Sequence, residues 1–192
     1  MFKHKKTTNF EKVINKENKV KNIRLNNIIF PIWLIWLFPQ LLIFVLPGNF
    51  IIDSLVLLIT MYIMKIEYKK GIYKKTILKI WGFGFLSDII GAVFLLIPII
   101  IDGFLDFNSS FGNWWYHYLV TPISFNPFDS IFGFIWVAIG VFIAGLFIYF
   151  FNYKFTFKEI NIKDNEKKKL ALSLAIFTAP YLFFLPTQLF YY

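Results

Sequence analysis

A single aspartate, Asp88, stands in the otherwise uncharged run GFGFLSDIIGAVFLLI, residues 82–97. A carboxyl group among apolar side chains has two chemical uses. As a neutral acid it donates a hydrogen bond between helices; as a titratable group it takes up a proton or a cation. Gly84, Asp88 and Gly91 fall at i, i+4 and i+7, one face of a helix with two residues lacking side chains. A neighbouring backbone can approach such a face, so Asp88 is expected in a seam between helices. Depth suggests its company. Thr178 lies nine residues beyond Lys169, as Asp88 lies nine beyond Lys79, and Tyr181 follows within a turn. Pro180 between them lacks an amide proton and frees a carbonyl near residues 174–176. Thr178 and Tyr181 are therefore the expected hydroxyl partners of Asp88, and the three form the candidate proton or cation site.

Other polar residues carry weaker chemistry. Asp53 is expected one turn into a helix that starts after Pro47-Gly48-Asn49, where a carboxylate offsets the positive end of the helix dipole. From that start it falls ~14 Å short of Asp88 in depth, at the helical rise per residue, so the two acids are not expected to pair. Gln40 and Asp53 are secondary polar candidates. Gly133, Gly140 and Ala144 form a second small-residue stripe suited to helix packing. The two histidines, His4 and His117, are expected on opposite sides of a membrane and cysteine is absent, which removes zinc sites, disulfides and histidine- or cysteine-based catalysis. Asp102 and Asp106 make a weak calcium site at best. Gly82-Phe83-Gly84 is followed by Phe85, so the Gly-x-Gly-Asp element of intramembrane aspartyl proteases is not met. No enzyme activity, metal or cofactor is expected.

The elements that position these residues follow from composition. Of 192 residues, 58% are apolar and 16% charged, a balance that cannot furnish the polar surface of a soluble domain. The charges are bunched. None falls between Leu25 and Ile52, Asp88 alone between Ile80 and Ile101, and none in 131–151 or 170–192. Runs of this length read as membrane helices, since about 20 residues cover ~30 Å of hydrocarbon. The sequence predicts an all-α, polytopic membrane helical bundle with five transmembrane helices at about 27–46, 49–64, 79–101, 130–153 and 170–191. Residues 1–26 form a basic tail and 27–192 a single transmembrane domain. A re-entrant hairpin over the first two spans is the competing layout.

Lysine and arginine set the sides. Eight lie in Met1–Arg24, six in Lys65–Lys79 and six in Lys154–Lys169, which accounts for all 20. Cytoplasmic segments retain such residues, so the N-terminus is expected inside and the C-terminus outside, in the plasma membrane. The net charge of +9 then points to anionic inner-leaflet lipids rather than nucleic acid. Thr8-Asn9-Phe10-Glu11 fits a capping box, so the tail is read either as an interfacial amphipathic helix with Phe10, Val13, Ile14 and Val20 on one side, or as a charged coil. The aromatic segment 102–129 is expected outside, lying on the leaflet or folded back over the helices, with Asn126 or Asp129 capping the fourth span.

Two functions fit. The first is a non-enzymatic subunit or accessory protein working through helix–helix and outer-segment contacts with other membrane proteins or copies of itself. The alternative is a small proton- or cation-dependent transporter or channel component using Asp88.

Overall fold

A computed structural model of the chain describes residues 39–187, with side chains from Val45 onward. The expected tail helix, the first half of the first span, the side chain of Gln40 and the last tyrosines lie outside the described residues. Those described are helical, with no strand among them. Three helices are long and apolar enough to cross a membrane.

Helix α1 runs Pro39–Ile63. It passes straight through Pro47, Gly48 and Asn49, where the sequence suggested a turn between two spans. The difference has a physical cause. In hydrocarbon a turn would strand several amides and carbonyls, whereas a proline inside a helix strands one carbonyl. The indole of Trp81 donates to Leu46 O at 3.0 Å, and its ring meets Phe50 edge-on, bracing this stretch. Residues 39–63, which the sequence divided between the first and second spans, form one helix.

The next connection, Met64–Tyr68, is much tighter than the expected loop 65–79. Lys65 N bonds Tyr62 O and Ile66 N bonds Met61 O, both at 3.1 Å, the paired bonds of a Schellman ending. Lys65 at φ 54 and Tyr68 at φ 58 occupy the left-handed region that glycine fills more cheaply, at roughly 1–2 kcal/mol per residue. Ile66 tucks into the core between them.

Helix α2 spans Lys69–Asp102, 34 residues, about 51 Å at the helical rise. That exceeds the hydrocarbon thickness, so its lysine-bearing first turns extend past the apolar layer. Beyond it, Ser109 caps α3 (Ser110–Trp115) by accepting from Gly112 N at 3.0 Å. A π turn, Tyr116–Val120, leads into α4 (Thr121–Ser124). Pro122 falls at the second position of α4, where the wider π turn before it accommodates the missing amide. Asn126 caps only the 3-10 turn Pro127–Asp129, and Ser130 caps the next helix by accepting from Phe132 N at 3.2 Å. Ser130, with an extended backbone just before the first helical residue, is better placed for this than Asn126 or Asp129.

Helix α5, Ile131–Phe151, ends in a second π turn, Asn152–Thr156. Helix α6, Asp164–Phe177, starts where Glu166 accepts from Lys163 N at 2.9 Å. The expected fifth span, 170–191, is not one helix. It breaks after Phe177, continues through a 3-10 turn at Tyr181–Phe184, and is pinned by Thr187 N to Phe125 O at 2.8 Å. The chain thus travels from the lysine-rich end to the aromatic end with a broken backbone.

Small residues let α2 and α5 meet. A methyl group built on Gly91 would lie 3.0 Å from the Ala144 Cβ and 3.1 Å from Gly140 O. One apolar cluster, with Leu57, Met61, Ile80, Phe157 and Leu170, fills the lysine-rich end; another, with Leu95, Leu119 and Val137, fills the aromatic end. The outer segment folds over the helices. Trp115 donates to Pro98 O at 3.0 Å, and Gly133 lies against Pro122.

Candidate functional site

Between the two apolar clusters the helices place a polar seam. Its members come from α1, α2 and the end of α6: Asp53, Asp88, Gly84 and Thr178. Asp53 sits at the fifteenth position of the 25-residue α1, near its middle, because that helix begins before Pro47. This reverses the expectation that Asp53 is a shallow helix-start residue unable to meet Asp88. The ~14 Å depth difference rested on a turn at 47–49, and without the turn it disappears.

The carboxyl of Asp53 faces α2. Its Oδ2 lies 3.6 Å from where a Cβ on Gly84 would stand, so glycine at 84 makes room for the carboxyl. Asp53 is 4% exposed. Asp53 and Asp88 are close enough to repel electrostatically when both are ionised. The Oδ1 of Asp88 is buried and has no hydrogen-bond partner. No lysine or arginine forms an ion pair with either acid among the described residues. Two carboxylates in a low-dielectric seam without a counter-charge cannot comfortably both be charged. A shared proton or one small cation relieves them.

Thr178 joins from α6, but its partner is Asp53 rather than Asp88. Its hydroxyl also donates to Leu174 O at 2.9 Å. A hydroxyl has one proton. While that proton is on Leu174 O, it is not available to the Asp53 carboxyl. When Asp53 is a carboxylate, the hydroxyl must turn toward it and release the carbonyl. Tyr181 does not meet Asp88 as expected: its hydroxyl donates to Ile176 O at 2.5 Å. The reason lies in Pro180, whose missing amide leaves carbonyls of the last turn in want of donors, and the tyrosine supplies one. Of the three residues grouped by depth, Asp88 and Thr178 both border Asp53, and Tyr181 serves the broken backbone.

Sequence reasoning missed several parts. Ser54, next to Asp53, donates to Phe50 O at 2.7 Å and pairs with the Tyr73 hydroxyl at 3.0 Å. Thr60 and Ser173 pair across α1 and α6 at 2.5 Å. The available signal was Ser54 and Thr60 themselves, two hydroxyls in a largely apolar helix. Of the packing glycines, Gly91 and Gly140 meet with Ala144 at the α2–α5 crossing, Gly84 borders Asp53, and Gly133 supports the outer segment.

No group of three or more potential ligands that could hold a metal exists among the described residues. The arrangement is an all-helical one, with helices able to cross a membrane and a buried pair of acids in their midst. No protein-family model, curated protein or solved structure matches the chain.

Proposed function

We propose that this chain is a multi-pass protein of the plasma membrane that takes up and releases a proton at the Asp53–Asp88 pair, as a small proton-dependent transporter or channel component. The observation that carries this reading is the end of α6 at Thr178–Pro180, beside carboxyls from two other helices. Helices broken at membrane depth are tolerated where they line a site, and the negative end of such a half-helix favours positive charge. Two acids and one hydroxyl supply too few oxygens for calcium, which leaves the proton as the simplest occupant. In this reading the lysine-rich segments 65–79 and 154–169 face the cytoplasm and 102–129 faces outside. The role is one of binding and passage rather than of catalysis.

Proteoliposomes loaded with a pH-sensitive dye test it. Under an imposed membrane potential, wild type should acidify the lumen, and Asp53→Asn and Asp88→Asn should each slow this at least tenfold at unchanged protein abundance. Single variants that conduct as wild type would refute the pair. An inert wild type would instead favour the accessory-subunit reading. That reading draws support from an apolar groove of about 490 Å³ between α5 and α6, lined by Val141, Gly145, Leu172 and Ala175 among others, which fits a partner's transmembrane helix.

A further inference from the structure

The turn between α1 and α2 carries a second site. A cavity of about 840 Å³ opens there, with Tyr62, Lys65, Glu67, Tyr68, Lys69 and Lys70 in its wall. Three lysines and one glutamate are among the lining residues, so the wall is cationic. The Lys69 ammonium stands 5.1 Å over the Tyr62 ring, which holds it at the rim. Helix α2 begins at this cavity with no acidic residue in its first turn and no side-chain cap from Tyr68, so the positive helix end is also unanswered. The turn holds Lys65 and Tyr68 in the left-handed conformation, where a glycine would be easier. Both side chains are kept at the opening despite that strain.

The surroundings say what kind of anion fits. Tyr62, Ile63 and Tyr68 flank the cavity and are 74%, 71% and 81% exposed. Apolar and amphipathic surface beside a cluster of lysines is the chemistry of the headgroup layer, where acyl chains and phosphates meet. We propose that this cavity binds the phosphate-bearing headgroup of an anionic phospholipid, with its chains lying along Ile63. Lys65 and Lys70 carry the phosphate charge, and the Tyr62–Lys69 pair closes one side. The site needs the membrane-embedded part of the protein but not the carboxylate pair, so its test and that of the proton reading fail independently.

The probe is phosphatidylglycerol, titrated onto the purified full chain in detergent and counted by native mass spectrometry, with phosphatidylcholine as the neutral comparison. Wild type should retain phosphatidylglycerol and shed phosphatidylcholine. Each lysine near a headgroup is worth about fivefold in binding. Lys65→Gln, Lys69→Gln and Lys70→Gln together should therefore weaken it by roughly a hundredfold. Lys158→Gln, Lys163→Gln and Lys167→Gln remove the same charge elsewhere and should leave the bound lipid in place. Equal losses in the two triple variants would overturn the site in favour of diffuse attraction. Competition by inorganic phosphate as strong as by the lipid would overturn the lipid assignment. Should the first triple variant not fold, Lys70→Gln alone should still lose about fivefold, and no loss would overturn the proposal.

Discussion

Replacing Asp88 by leucine should stabilise the protein. The Oδ1 of Asp88 is buried without a hydrogen-bond partner, and a buried polar atom left unsatisfied costs about 1–3 kcal/mol. Its neighbour Asp53 adds repulsion whenever both acids are charged. Leucine keeps the branched skeleton of aspartate, with methyl groups in place of the two oxygens, and removes both penalties. The expected gain is about 1–3 kcal/mol, or a rise in Tm on the order of 2–12 °C for a chain of this size. Asp88→Asn keeps a polar group in the same place and should stay within about 1 kcal/mol of wild type. Asp53→Leu is the internal control: it breaks the contact with Thr178 and should gain less than Asp88→Leu. Thermal or denaturant unfolding in mixed micelles, followed by tryptophan fluorescence, measures all three. If Asp88→Leu lowers stability by more than about 1 kcal/mol while Asp53→Leu does not, the carboxyl of Asp88 is a structural anchor and the seam has been misjudged. A gain accompanied by lost proton uptake would show a residue kept at the expense of the fold.

Gly91→Leu should separate α2 from α5, because even a methyl group there meets Ala144 at 3.0 Å. A loss of about 1–3 kcal/mol or more is expected, read as a lower Tm. Trp115→Phe removes the indole bond to Pro98 O and should cost about 0.5–1.5 kcal/mol, with hydrogen exchange rising first in residues 110–124. Asp164 is held below the usual carboxylate range by its bonds to Lys168 and Tyr153. A lowered folded value means that its contribution is present above about pH 3.9, the ordinary value, and is lost as pH falls through the folded one. Asp164→Asn should therefore flatten that part of the acid-unfolding profile, lower stability slightly at neutral pH and leave it unchanged below the folded value; a large effect at neutral pH would contradict the exposed geometry.

The helical class was legible in the sequence, because long uncharged apolar runs recur along the chain, and three of the described helices are long and apolar enough to cross a membrane. The approach of α2 to α5 was also readable, since a helix offering Gly84 and Gly91 on one face needs a close neighbour and Gly140 and Ala144 provide one. The site was legible only in its parts. Pro47-Gly48-Asn49 is a turn signal in water, where freed backbone groups find new partners. In hydrocarbon they find none; the helix continues through 47–49 and puts Asp53 near its middle. That one displacement turned two unrelated acids into a pair. At Pro180 the opposite happened. The chain did break, and the Tyr181 hydroxyl satisfied Ile176 O, the carbonyl whose i+4 donor Pro180 lacks. Whether a proline bends or ends a helix depended on donors from elsewhere in the chain, which spacing alone does not reveal.

The bond of Thr187 to Phe125, together with its hydroxyl contact to Ser124 O at 3.1 Å, fastens the far side of the break at Thr178–Pro180. The near side is fastened by Ser173 to Thr60. A segment anchored at both ends cannot slide; it can only swivel, like a crank between two bearings. Any rearrangement of Thr178 that accompanies proton traffic at Asp53 must then be a rotation in place. Spin labels at 172 and 182 should report a change in angle at a nearly constant separation, and a large change in separation would show that one bearing has let go.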